Sequence, residues 1–345
     1  MAAERRGRSL RDWVPRWWRG EAGLAGRVAS GVLWPAEQLY RGAIRARNGA
    51  YGRGWLRSEA PPIPVVSIGN LAVGGTGKTP VSAWVAARLR AAGARPALVL
   101  RGYGEDEVLV HRELNPEIPV IVAARRIEGV EEAARAGAAV AVVDDGFQHR
   151  ALRRQLDVVL VAAEGWRAAP RLLPRGPWRE GTESLGRAHL AIVTRKTATG
   201  EQAKAVAAAL SRWIDPARIL RCHIAPTELV PLRGGEGEPL GRLAGHDVLA
   251  VASLADPRSF VAHLERAGAR VELMAYPDHH AFTGTDAAEI RARAGRRPIV
   301  MTRKEAVKLR AVPGDWGAAR VLEQRVEFEA GEEILERCMR EAIGG

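Results

Sequence analysis

Short apolar runs alternate with segments of helical periodicity through most of this chain. A helix is expected after the first run, over residues 81–89, and another over residues 128–136. Strands that alternate with helices predict a mostly parallel, doubly wound α/β sheet. The apolar runs that predict its buried strands lie at residues 65–68, 96–100, 118–123, 138–143, 157–162 and 190–194.

The pattern changes at residues 226–245, which are rich in proline and glycine and predict a hairpin or linker. Apolar runs resume at 248–252, 271–275 and 299–302, with helical segments near 257–267, from Lys304 and at 331–342. We therefore expect a core domain at 58–225, a smaller α/β domain at 246–330 and a C-terminal helix at 331–345.

The N-terminal segment has a different character. Residues 1–23 are rich in Arg and Trp and are interrupted by Pro15 and Gly20, which predicts a loose arm or a short interfacial helix. Residues 24–57 carry apolar and Arg side chains at helical spacing, which predicts an amphipathic helix kinked at Pro35.

Charge sharpens this picture. The chain has a net charge of +12, and residues 1–57 hold twelve Arg against four acidic residues, a net charge of +8. Five of the ten Trp also lie there. Arg with Trp favours a membrane interface containing anionic lipid. The alternatives are nucleic acid and a merely solvated arm, but no nucleic-acid-reading motif is present, so we expect no nucleic acid partner.

Composition excludes several other classes of protein. Hydrophobic residues make up 47% and charged residues 27% of the chain, as in globular proteins. No apolar run is long enough to span a bilayer, and no signal peptide is evident. Cys222 and Cys338 match no metal or redox spacing, which predicts reduced thiols in a cytoplasmic protein.

The first strand leads into a phosphate-binding motif over residues 65–80. Glycines let a backbone turn tightly and direct several amides at one centre, and the following helix adds its positive end. A P-loop at this position predicts that Lys78 contacts the β- and γ-phosphates and that Thr79 binds Mg²⁺. Ala72 replaces the first motif glycine, and the alternative is an ordinary glycine-rich turn. The predicted nucleotide-binding residues are Gly74, Gly75, Thr76, Gly77, Lys78, Thr79 and Pro80.

The strand at 138–143 runs into Asp144 and Asp145, as in a Walker B strand whose carboxylate binds Mg²⁺. The alternative is a pair of carboxylates that cap the next turn. Three Asn residues are present and none precedes a Lys, so the guanine-binding motif is missing and ATP is favoured over GTP.

Transfer of a phosphoryl group also needs a base for the acceptor hydroxyl. Asp106 follows the strand at 96–100 and could face the γ-phosphate, although by itself a run such as Glu105-Asp106-Glu107 is more often a solvated loop. His279 and His280 follow a strand and could be structural. Arg101, Arg125 and Arg126 are candidate phosphate clamps.

Several of these segments together resemble the tetraacyldisaccharide 4'-kinases, the lipid A 4'-kinases of Gram-negative bacteria. The resemblance runs from about residue 24 to residue 330 and includes the basic amphipathic segment. The similar stretches are SIGNLAVGGTGKTP (67–80), LRGYG (100–104), VVDDGFQH (142–149), LLPRGPWRE (172–180), YPDHHAFT (276–283) and EAVKL (305–309).

The resemblance implies a kinase that moves the γ-phosphate of ATP to the 4'-hydroxyl of an acylated glucosamine disaccharide 1-phosphate. The acceptor would lie at the cytoplasmic face of the inner membrane. Asp106 and His279 would activate the hydroxyl. The residues implied at Mg²⁺ are Thr79, Asp144, Asp145 and Gln148, and those implied at the acceptor are Arg101, Arg126 and His149. A kinase for another hydroxyl acceptor, soluble or glycolipid, is the alternative.

Some positions depart from the family pattern. Asp106 follows Gly104 after one residue, whereas the family separates its Gly-Asp-Glu-Pro from Arg-Gly-Tyr-Gly. Glu105 and Val108 replace the Gly and Pro of that motif. Arg175 replaces a small residue. These departures concern the acceptor side and leave the predicted nucleotide site intact.

Overall fold

The computed structural model describes residues 10–102, 104–317 and 319–344. Part of the predicted N-terminal arm, residues 1–9, lies outside them. The chain begins with three helices, α1 (Leu10–Arg19), α2 (Gly23–Val32) and α3 (Trp34–Gly52). Helix α1 continues through Pro15 instead of being interrupted there. The predicted kink at Pro35 is instead a break at Leu33, because proline is favoured in the first turn of a new helix.

The following segment alternates strands and helices, as the apolar runs predict. Each of the strands β1 and β4 is buried along its whole length, which explains the absence of polar alternation. The elements are β1 (Val65–Asn70), α4 (Lys78–Ala91), β2 (Pro96–Leu100), α5 (Glu105–Leu114), β3 (Val120–Val122), α6 (Arg126–Arg135), β4 (Val140–Asp144), β5 (Leu156–Ala162), β6 (Leu190–Arg195), α7 (Gly200–Leu210) and β7 (Ile219–Pro231).

The remaining elements form a second βα series and a final helix. They are β8 (Asp247–Ala252), α8 (Arg258–Arg266), β9 (Arg270–Ala275), α9 (Gly284–Ala294), β10 (Ile299–Thr302), α10 (Arg303–Leu309), β11 (Ala319–Ala330) and α11 (Glu332–Gly344). The apolar pattern does not predict α7 or α9. Each starts at a capping box, Thr199 with Gln202 and Thr283 with Asp286, a signal that could have located them.

Within the described residues the strands form one sheet in the order β3-β2-β4-β1-β5-β6-β7-β11-β10-β8-β9. All pairs are parallel except β7 with β11, which joins the two parallel halves. Of the two alternatives predicted for residues 226–245, the structure has a hairpin: β7 continues to Pro231, and an antiparallel bridge joins Leu229 to Glu238. The partner of β7 in the sheet, β11, is not predicted by the apolar pattern, and pairing with it keeps β7 extended. The sheet confirms the predicted α/β fold with a mostly parallel sheet.

Strand β1 lies between β4 and β5, so the connections from it diverge at this point of the sheet. Ligands of doubly wound sheets bind beyond the carboxyl ends of the strands at such a point. Helix α11 returns to this half, where Leu335 and Met339 join the core around β1. Cys222 and Cys338 form no disulfide. Among the described helices, none combines the length and the apolar character that crossing a membrane requires.

Candidate active site

The glycine-rich loop joins β1 to α4 and has the backbone conformation of a phosphate-binding turn. Gly74 and Gly77 have φ angles of 110° and 89°, a region that favours glycine. A Cβ on Gly77 would lie 2.1 Å from Cδ1 of Ile224. Helix α4 begins at Lys78, and Thr79 and Pro80 follow in its first turn. The uncapped helix start and the turn fit a bound phosphate chain.

Side chains at the carboxyl ends of β1 and β6 and just beyond β6 support the loop. Asn70 Nδ2 donates to Thr76 Oγ1 at 2.8 Å, and Thr194 Oγ1 donates to the Thr76 carbonyl at 2.9 Å. Lys196 Nζ donates to the carbonyl of Gly75 at 2.9 Å. Burial lowers the pKa of Lys196. The sequence motifs do not indicate Thr194 or Lys196, because both reach the loop only through the order of the strands.

Asp145 lies beside the loop with a φ angle of 55°, a rare conformation for a residue other than glycine. Lys78 Nζ is 3.7 Å from its Oδ1. Arg179 Nη1 donates to both carboxylate oxygens at 2.9 Å and approaches Gln148 Oε1 at 3.4 Å. Asp145 and Gln148 thus direct their oxygens at a single cationic nitrogen. No role for Arg179 is predicted from the sequence, although it lies in one of the family-like stretches.

Asp144 is buried at the end of β4, and its Oδ2 lies 3.2 Å from Nε2 of His111 in α5. Burial alone would raise the pKa of Asp144, but His111, Lys78 and Ser82 outweigh burial and lower it. Its Oδ1 is buried without a hydrogen-bond partner among the described residues. His111 is a second functional candidate that no sequence signal indicates.

These oxygens fit the predicted magnesium site. Asp144, Asp145, Gln148 and Thr79 offer carboxylate, amide and hydroxyl oxygens, which are the ligands that Mg²⁺ prefers. Among the described residues, no group of three or more His, Cys, Asp or Glu side chains could hold a metal ion.

The pair formed by Asp106 and His279 is the second part of the site. Asp106 lies in the first turn of α5 and is 1% exposed, so the solvated-loop alternative is wrong. His279 Nδ1 lies 2.8 Å from Asp106 Oδ1. His279 has a φ angle of 59° in the turn after β9. The fold thus brings together two residues that are 173 positions apart.

Two lysines of α10 surround the same carboxylate. Lys308 Nζ is 3.6 Å from Asp106 Oδ2, and Lys304 Nζ is 3.4 Å from Oε1 of Glu107. Burial would raise the pKa of Asp106, but Lys304, His279 and Lys308 together hold it below the usual value. Asp106 is therefore ionised at neutral pH.

The other predicted residues take varied positions. His280 Nε2 lies 3.2 Å from Oδ2 of Asp286, so this histidine supports the turn. Arg126 is buried and donates to the carbonyls of Ala123 and Asp144, whereas Arg101 is exposed. Burial, Arg126 and Arg101 lower the pKa of His149 to about 4, so its ring is neutral. Binding of the acceptor by Arg101, Arg126 and His149 stays a prediction.

Gly104 provides a test of the pair. A Cβ on this residue would lie 2.2 Å from His279 Nδ1 and 2.4 Å from Asp106 Oδ1. Gly104→Ala should therefore separate the two side chains and lower kcat about tenfold or more, with the KM for ATP unchanged. Steady-state kinetics would measure this effect. Gly284→Ala is the matched control, because nothing lies within 4 Å of its added Cβ. Equal kcat values for the two variants would contradict the prediction.

Comparisons with known proteins agree with this geometry. The family model described as Tetraacyldisaccharide-1-P 4'-kinase matches residues 29–115 and 104–343. The tetraacyldisaccharide 4'-kinase of Anaeromyxobacter sp. (strain K) is 37% identical, covering 95% of this chain and 94% of that protein. The enzyme of the same name from Halorhodospira halophila is 35% identical, covering 93% and 94%.

A solved structure is similar over nearly the same range. LpxK from Aquifex aeolicus, crystallised in complex with ATP, superposes with a TM-score of 0.70 at 25% identity. The match covers 91% of this chain and 99% of that one. The resemblance inferred from the sequence motifs is confirmed: this chain belongs to the tetraacyldisaccharide 4'-kinase family.

Proposed function

We propose that this chain transfers the γ-phosphate of ATP to the 4'-hydroxyl of a tetraacylated glucosamine disaccharide 1-phosphate. The observation that carries this proposal is the Asp106–His279 hydrogen bond, which provides a base within the fold of a P-loop kinase. Family membership supports the identity of the acceptor. In this assignment the backbone amides of residues 74–79 bind the phosphates of ATP and Lys78 neutralises their charge.

The predicted magnesium ligands are Thr79, Asp144, Asp145 and Gln148. Bound Mg²⁺ would neutralise charge that develops on the phosphate oxygens. The guanidinium of Arg179 now contacts both Asp145 and Gln148, and we expect it to move aside when these oxygens become ligands. Once displaced, Arg179 can pair with phosphate oxygens in the same cleft.

In the chemical step the 4'-oxygen attacks the γ-phosphorus and the bond from that phosphorus to the β,γ-bridging oxygen breaks. ADP leaves with the bridging oxygen, and the hydroxyl proton passes to Asp106. His279 Nδ1 fixes one carboxylate oxygen, and its Nε2 is 3.7 Å from Asp278 Oδ2. These two contacts fix the orientation of the His279 ring beside Asp106.

We also place the protein at the cytoplasmic face of the inner membrane, on anionic lipid. Support comes from the charge of residues 1–57 and from exposed apolar side chains on α2, on α3 and in the segment after α3. These side chains are Leu24, Val28, Val32, Trp34, Leu39, Trp55 and Leu56. Apolar side chains beside arginines are the composition of an interfacial helix.

The pH dependence of kcat tests the role of the lysines. A carboxylate with a lowered pKa stays ionised as pH falls, so activity is lost only at pH values below the usual aspartate range. Lys304→Met removes the largest favourable charge at Asp106 and raises its pKa. The acidic limb of the pH–rate profile should therefore move to higher pH. If the acidic limb of the profile does not move, Lys304 does not control the protonation of Asp106.

A direct assay tests the proposed activity. The protein is incubated with ATP, Mg²⁺ and an acylated disaccharide 1-phosphate in mixed micelles, and mass spectrometry detects one added phosphate. Phosphorylation of a deacylated, soluble sugar at the same rate, with no dependence on micelles, would instead favour a soluble acceptor.

A further inference from the structure

A cleft of about 410 Å³ lies between the N-terminal helices and the segment at residues 167–175. The indole of Trp17, from α1, is buried beside it and donates from Nε1 to the Gly26 carbonyl at 2.7 Å and to Ser30 Oγ at 2.9 Å. This packing holds α1 against α2 and keeps the cleft in shape. The lining is strongly basic and includes Arg27, Arg167, Arg171 and Arg175.

Acidic side chains among the described residues balance only part of this positive charge. Arg175 pairs with the buried Glu37 at 2.9 Å. Arg167 donates to the Arg19 carbonyl at 3.0 Å and Arg171 to Ser30 Oγ at 3.3 Å, both neutral acceptors. Among the described side chains, Arg27, Arg167 and Arg171 form no salt bridge. Three like charges around one cleft favour an anion, and guanidinium groups match the geometry of phosphate.

An apolar surface adjoins the cleft. On α2 the cleft-lining residues have the spacing i, i+3, i+4 and i+7 of one helix face: Gly23, Gly26, Arg27 and Ser30. The neighbouring stripe is exposed, with Leu24 at 74%, Val28 at 59% and Val32 at 72%. A basic cleft bordered by an exposed apolar stripe matches an amphiphile that has a phosphate at one end.

We propose that this cleft binds the phosphate headgroup of an anionic glycerophospholipid of the membrane, with the acyl chains along the Leu24–Val32 stripe. The proposal deepens the membrane association proposed above and rests on it. It does not depend on the identity of the hydroxyl acceptor. The site would hold α1 and α2 at the level of the lipid headgroups.

Short-chain lipids below the critical micelle concentration test lipid binding by the cleft without a membrane surface. On a membrane, general attraction between basic residues and anionic lipid would mask binding at this site. Titration calorimetry would compare dihexanoyl phosphatidic acid, dihexanoyl phosphatidylcholine and inorganic phosphate. We expect the phosphatidic acid to bind at least about tenfold more tightly than inorganic phosphate, because its chains bury apolar surface. The zwitterionic lipid should bind more weakly than the phosphatidic acid.

Matched variants locate the site. Arg167→Gln/Arg171→Gln should weaken phosphatidic acid binding by about tenfold or more. Arg45→Gln/Arg53→Gln, from the same N-terminal region but outside the cleft, removes equal charge and should not alter binding. Arg27→Gln is a third variant, because no hydrogen bond or salt bridge of Arg27 to another described residue would be lost. Circular dichroism would verify folding.

Three results would overturn the proposal. If the wild type and both cleft variants bind phosphatidic acid equally, the cleft is not the lipid-binding site. If inorganic phosphate binds as tightly as the phosphatidic acid, the cleft is a site for a free anion and not for a lipid. Competition between the phosphatidic acid and the acceptor, in kinase assays with non-ionic micelles, would assign the cleft to the phosphate of the acceptor. Absence of kinase activity would reject the proposed reaction but leave the lipid-binding result standing.

Discussion

Asp106→Asn should lower kcat by about 10²–10⁴-fold, the usual contribution of a general base, while ATP binding stays intact. Asn keeps the shape of the side chain and can still bond to His279, but it cannot take the proton of the acceptor hydroxyl. Single-turnover kinetics would measure the chemical step and a fluorescent ATP analogue would measure nucleotide affinity. A double variant with His279→Ala should be scarcely slower than Asp106→Asn alone, since the two residues act as a unit.

Glu105→Gln is the matched control for this experiment. Glu105 precedes Asp106 in the same first turn of α5, but its side chain is exposed. Loss of this charge should leave kcat unaltered. A loss of less than tenfold in Asp106→Asn would mean that another group accepts the proton.

Lys78→Ala should lower kcat/KM by at least about 10²–10³-fold, as for loss of one preorganised electrostatic contact to a transition state. Lys78 begins α4 at the end of the glycine-rich loop, and its Nζ already lies 3.7 Å from Asp145. Without Lys78, no cationic side chain of the loop stabilises the negative charge that develops on the transferred phosphoryl group. Steady-state kinetics over a range of ATP concentrations would separate binding from turnover.

Lys204→Ala is the comparison, because Lys204 is an exposed lysine paired with Glu201 on α7. That variant should retain full activity. Turnover of Lys78→Ala within tenfold of the wild type would reject the phosphate-binding role of this loop.

The sequence alone predicts much of the fold, because buried parallel strands appear as uninterrupted apolar runs. It does less well where β7 pairs with β11, since the proline- and glycine-rich composition of residues 226–245 predicts a hairpin or linker and does not indicate this pairing. The pairing of two distant strands, not the local composition, keeps residues up to Pro231 extended. The solvated-loop alternative for Glu105–Glu107 fails for a similar reason: His279, Lys304 and Lys308 compensate the buried charge of Asp106, and all three are distant in sequence.

The nucleotide side of the site is determined by the sequence itself. Its phosphate-binding groups are backbone amides of consecutive residues and the side chains of Lys78 and Thr79, so one continuous motif contains the chemistry. The tertiary structure decides the rest. It forms the hydrogen bonds of Arg179 with Asp145, of His111 with Asp144 and of His279 with Asp106, and it gathers the arginines of the cleft beside α2. These contacts join residues far apart in the chain, and contacts of that range depend on strand order and helix packing, which leave no local pattern in the sequence.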